Sequence, residues 1–141
     1  MPAGPRIFAF IALLCASIGC SPEIGDDCET ALDCSSQASR LCDRTQPGGY
    51  CTIRGCEKGT CPEEAVCVKF RPTTERLAVS YCMFRCSDDG DCREGAGYAC
   101  LRDEDFGDGN DAELLDDGNK KFCALPPEQL DAGVTSLPDG G

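Results

Sequence analysis

Twelve cysteines between Cys28 and Cys123 constrain this chain more than anything else in it. They fall into three groups of four: Cys28, Cys34, Cys42 and Cys51; Cys56, Cys61, Cys67 and Cys82; Cys86, Cys92, Cys100 and Cys123. The neighbours repeat as well. An aromatic residue precedes the fourth cysteine each time (Tyr50, Tyr81, Phe122). A basic residue lies two places after the third (Arg44, Lys69, Arg102), and a small or apolar one precedes it (Leu41, Val66, Ala99). The residue before the second cysteine is Asp33, Thr60 or Asp91, an agreement in two groups of three. Self-similarity of this kind marks tandem units, here residues 28–55, 56–85 and 86–123.

The units need their cysteines. Beyond residue 19 the chain has only four Phe, three Tyr and no Trp, too little apolar surface to offset the entropy of ordering a chain of this length. The expected fold is therefore small and disulfide-rich, mostly irregular with short β-hairpins. Four cysteines allow three pairings within a unit. First-to-third with second-to-fourth is favoured because that alternation interlocks the loops. In each unit the aromatic ring is expected to pack on the sulfurs, and the basic residue to pair with an acidic one nearby. The clearest strand pair is Leu77–Phe84 with Val66–Phe70, and Tyr50–Ile53 is its counterpart in the first unit. Asp111–Leu115 reads as one helical turn.

The first 19 residues have a different character. Arg6 is their only charged side chain, and the apolar run Ile7–Ala16 follows it. This is the pattern of a signal peptide, and the run falls short of the ~20 apolar residues that span a bilayer. Ala16-Ser17-Ile18-Gly19-Cys20, a small residue before a cysteine after an apolar stretch, resembles the lipobox of bacterial lipoproteins. That resemblance implies cleavage before Cys20, diacylglycerol on its thiol and a membrane anchor, with residues 20–27 as the tether. Ser17-Ile18-Gly19 also fits ordinary signal cleavage, so a secreted product is the alternative. Cysteine parity favours the anchor. Of 14 cysteines, Cys15 leaves with the signal and Cys20 carries lipid, and the remainder is even. Localisation in the cell envelope, outside the reducing cytosol, follows.

The spacing Cys86-Ser87-Asp88-Asp89-Gly90-Asp91-Cys92, and less closely Cys28–Cys34, resembles the amino-terminal cysteine region of Dickkopf proteins and the whey-acidic-protein core. The resemblance spans about ten to fifteen residues per unit. It implies compact stapled modules that bind protein. The adjacent Cys-Cys of the whey-acidic-protein core is not present, and no inhibitory loop carries over.

Several chemistries are excluded. Without histidine there is no Ser-His-Asp or Cys-His catalysis and no histidine metal site. Without Cys-x-x-Cys there is neither a thioredoxin-like pair nor a zinc knuckle. The formal charge is −12, and −13 once Arg6 leaves, which opposes binding to nucleic acid. The unit 3 insertion, residues 101–122, gathers eight carboxylates from Asp103 to Asp117, the oxygen chemistry calcium requires. An EF-hand register nevertheless fails. Counted from Asp103, the position that needs Gly holds Asp108 and the final ligand position holds Leu114. A solvated acidic loop is expected, with no metal or cofactor. Residues 124–141, rich in Asp, Gly and Pro, are expected to be a disordered tail. The expected function is that of a non-enzymatic envelope lipoprotein acting as a structural or protein-interaction module. The alternative is a secreted cysteine-rich ligand or protease inhibitor.

Overall fold

The computed structural model describes residues 21–71, 76–107 and 111–132. The signal segment, Cys15, Cys20, residues 72–75 and the tail from 133 lie outside the described residues. The chain is cysteine-rich and mostly irregular, with short antiparallel strands and little helix.

Six disulfides form, all within units: Cys28–Cys42 and Cys34–Cys51, Cys56–Cys67 and Cys61–Cys82, Cys86–Cys100 and Cys92–Cys123. Each unit thus pairs first-to-third and second-to-fourth. The strands explain why. The first unit has a short helix α1 (Ala31–Cys34), then β1 (Leu41–Cys42) and β2 (Cys51–Thr52); the second has β3 (Ala65–Phe70) and β4 (Val79–Cys86). The third has β5 (Ala99–Leu101), β6 (Ala112–Leu114) and β7 (Lys121–Ala124). In every unit the third and fourth cysteines stand directly opposite one another across an antiparallel pair: Cys42 and Cys51, Cys67 and Cys82, Cys100 and Cys123. Neither bridges its opposite. Each reaches back to the loop that carries the first two cysteines and ties that loop to the hairpin.

That loop is closed by a hydrogen bond common to all three units. The backbone N–H after the first cysteine donates to the side chain before the second: Glu29 to Asp33 at 3.0 Å, Glu57 to Thr60 at 2.9 Å and Ser87 to Asp91 at 2.7 Å. The position that agrees only twice by residue type therefore agrees three times by role, because a hydroxyl oxygen accepts as a carboxylate does.

The units are not beads on a string. Strand order in the larger sheet is β5-β7-β4-β3-β6, so units 2 and 3 share one five-stranded sheet. Its centre is β4, the longest strand. One side of β4 pairs with β3 along Val79–Phe84. The other side pairs first with unit 1, where Cys82 N–H donates to Ile53 O and Gly55 N–H to Ser80 O, and then with β7 at Arg85 and Cys86. All three units thus meet on one strand.

Several expectations are overturned. Asp111–Leu115 is not a helical turn: its alternating Ala112, Glu113 and Leu114 form β6, with Ala112 buried against the sheet and Glu113 exposed, and pair with Phe70, Lys69 and Val68. A two-residue period is a strand's signature, and pairing with β3 decides it. The insertion is accordingly not simply a solvated loop. Asp116 accepts from Gly59 N–H and Cys67 N–H at 2.8 Å each, and Asp117 pairs with Lys58, so these carboxylates clasp unit 2. Residues 21–27 are not a free tether either. Ile24 is 1% exposed, Gly25 N–H donates to Cys51 O, and Cys51 N–H donates to Asp26 O. Finally, the chain from 124 is not all tail. Ala124 and Leu125 are buried, and Pro127–Ala132 form helix α2, opening on a proline, which the first helical position favours.

The aromatic rings do not shield their own sulfurs. Successive residues on a strand face opposite ways, so the ring before a cysteine points away from that cysteine's bridge. Phe122 is fully buried among Val66, Val68 and Phe106, stacked on Phe106 with centroids 5.9 Å apart. Tyr50 is buried beside the cysteines of unit 2, while Cys28, Cys34 and Cys51 form a separate cluster. Of the repeated basic residues, Arg102 pairs with Glu104 of its own unit at 3.2 Å; Arg44 lies exposed on a turn.

Candidate functional site: the groove where the units meet

The unit junction is built around Tyr50. Its hydroxyl accepts from Phe84 N–H and donates to Cys123 O, both at 3.0 Å. On that side of β4, unit 1 stops pairing at Cys82 and β7 begins at Arg85, so Phe84 N–H falls in the gap and the phenol fills it. Burial pushes the Tyr50 hydroxyl well above the ordinary tyrosine range, so it stays protonated and keeps its donor role. Thr52, 1% exposed, donates to Cys82 O at 2.7 Å just beside it. Tyr98 packs on the Tyr50 ring with centroids 5.4 Å apart and donates to Pro47 O at 3.0 Å. The Arg93 guanidinium lies 4.6 Å from the Tyr98 ring centroid, a cation–π contact within unit 3, and donates to Gly49 O at 2.6 Å, the hydrogen bond that locks unit 3 onto the unit 1 turn. Burial raises the Tyr98 phenol too, partly offset by Arg93.

Next to this junction lies an open groove of about 590 Å³ to which all three units contribute. Phe70, Leu77, Val79, Tyr81 and Met83 of unit 2 line it, with Asp43, Thr45, Gln46 and Tyr50 from unit 1 and Phe106, Asp111, Leu125 and Pro127 from unit 3 and the chain after it. Arg71 also lines it, in the left-handed region at φ +56°, with its N–H donated to Asp111 O at 2.7 Å. Leu77 is 57% exposed, one of two large apolar side chains so placed among the described residues; the other is Leu32.

All twelve cysteines singled out in the sequence lie in bridges. Three cysteine triads, such as Cys28 with Cys34 and Cys51, bring their sulfurs within 4.8 Å of one another, but each sulfur is already bonded to another and offers no thiolate. Among the described residues the carboxylates of the acidic insertion point to separate partners: Asp103 accepts from Leu114 N–H, Asp105 from Arg102 N–H, and Asp116 from Cys67 N–H of unit 2. Cys20 lies outside the described residues. Sequence reasoning missed the groove and the Tyr50–Tyr98–Arg93 junction. Only its repeat position marks Tyr50 in the sequence, and Arg93 and Tyr98 carry no repeat signal. Compared with family models, with curated proteins and with solved structures, the chain matches none.

Six bridges among twelve cysteines indicate an oxidising, extracytoplasmic environment. No helix among the described residues is long and apolar enough to cross a membrane.

Proposed function

We propose that the protein is an exported envelope lipoprotein, anchored through Cys20, whose stapled units form a non-enzymatic protein-interaction module. One observation carries the anchoring: the cysteines from Cys28 to Cys123 pair entirely among themselves, which leaves Cys20 no disulfide partner in the folded body. A thiol free of that framework is available for acylation, and two or three acyl chains at ~0.8 kcal/mol per buried CH₂ hold a protein stably at a membrane. The interaction role is supported by the open groove at the unit junction.

Intact-mass measurement of the membrane fraction tests the anchor. The expected product begins at Cys20 and carries diacylglycerol plus an amide-linked acyl chain. An unmodified soluble product replaces this reading with the secreted ligand or inhibitor that Ser17-Ile18-Gly19 also permits. Crosslinking in intact cells tests the interaction role, with a specific envelope adduct expected.

A further inference from the structure

We propose that the groove at the unit junction takes an extended segment of a partner protein in which apolar side chains alternate with lysine or arginine. The inference rests on the interaction-module reading above and names the chemistry of its partner. The groove has room for a few side chains, not a folded domain. Phe70, Val79, Tyr81 and Met83 stay only partly buried along it, and Leu77 stands 57% exposed beside them. These side chains form one apolar wall of the groove, and Asp43, Thr45 and Gln46 form a polar wall beside it, so the groove presents both apolar and charged contacts to an occupant. The left-handed backbone at Arg71 is held in place by Asp111 at the same groove, where such a conformation persists because its surroundings impose it.

Charge selects the occupant. The groove-lining charges are the carboxylates of Asp43 and Asp111 against the single guanidinium of Arg71. The whole chain carries −12. A second copy would bring the same charge and be repelled, whereas a cationic segment is drawn in. On the five-stranded sheet, Cys100 N–H at the β5 edge donates to Asp89 at 2.8 Å and Leu114 N–H at the β6 edge to Asp103 at 3.3 Å, so these two edge donors are not free for an added strand.

The test titrates the oxidised mature chain with a seven-residue peptide alternating lysine with leucine and phenylalanine, and with its glutamate counterpart. The lysine peptide is expected to bind at least about tenfold more tightly and to shift NMR signals of groove residues. Leu77→Ser and Asp111→Lys, both at exposed positions, should each weaken it about fivefold. Leu32→Ser, at the other exposed leucine, should change it less than about twofold. Equal affinity for both peptides, equal losses at Leu32 and Leu77, or self-association through the groove would each overturn the proposal. An in-cell crosslinked partner retained undiminished by the Leu77→Ser/Asp111→Lys double variant would overturn the groove while leaving the interaction role standing.

Discussion

In unit 1 the two hairpin strands are joined by a short loop, closed where Asp43 and Tyr50 exchange backbone hydrogen bonds at 2.9 and 3.1 Å. In unit 3 the equivalent strands, β5 and β7, are separated by the acidic insertion, which leaves its own hairpin and returns as β6 on the far side of unit 2. The cysteine frame is the same in both, with the third and fourth cysteines opposite one another and bridged back to the preceding loop. The difference lies in what the hairpin connection is free to do. A bridge pair fixes the base of each hairpin at either connection length, since loop-closure entropy grows only slowly with length. The tip can then evolve into an assembly device. Unit 1 stays a two-stranded sheet and docks on β4 through two backbone hydrogen bonds just beyond β2, completed by the side chains of Tyr50 and Thr52; unit 3 docks by strand pairing on both sides of unit 2, with β7 on β4 and β6 on β3.

The bridges provide the harshest test of this contrast. Removing Cys92–Cys123 by double alanine substitution frees a sequence separation of 31, against 17 for Cys34–Cys51. Each loss should cost ~2–5 kcal/mol, and loop-closure entropy makes the first larger by only ~0.5 kcal/mol. Urea midpoints measure both, and a much larger gap would mean that the insertion's own contacts depend on the bridge.

Tyr50→Phe comes next. It deletes one hydroxyl and strands Phe84 N–H and Cys123 O, a loss of ~1–3 kcal/mol. Tyr81→Phe at the equivalent position of unit 2, where the side chain lines the open groove, should stay within ~0.5 kcal/mol. Equal effects would refute the keystone role of Tyr50. Asp116→Ala should follow at ~1–2 kcal/mol, because Gly59 N–H and Cys67 N–H lose their acceptor. Amide exchange at Cys67 would quicken while unit 1 amides stay protected.

The smallest effect is a pH dependence. Asp33 lies below its usual value near 3.8, first because it accepts from Thr30 N–H and then from Glu29 N–H. A depressed carboxyl stabilises the fold above its unfolded value and loses that contribution as pH falls through its lowered folded value. Acid titration of the Asp33→Asn variant should therefore show a shallower loss of stability below about pH 4 than the parent chain. Parallel acid curves would remove Asp33 from the account.

Much of the unit is legible in the sequence: four cysteines per repeat and the hairpin of β3 with β4 follow from spacing and residue type, whereas the alternating bridge pattern is one of three pairings the spacing allows and the strand register decides it. The junction was not legible. Arg93, Tyr98 and Ile24 look like ordinary loop residues until their partners are brought beside them, and Asp116 looks like any other carboxylate in an acidic run. Even Tyr50, which its repeat position marks, packs beside the cysteines of unit 2 and not on its own sulfurs, because repeat position does not say which unit lies on the opposite face of the strand.

The sequence by itself determined three stapled units and an oxidising compartment, since covalent cross-links and strand period are local properties carried by each repeat. Only the tertiary structure decided that the units share β4, that an acidic loop becomes a strand, and that a groove opens where they meet. Those outcomes depend on backbone donors and acceptors left over once each unit has folded, and where such groups end up is a property of the assembly.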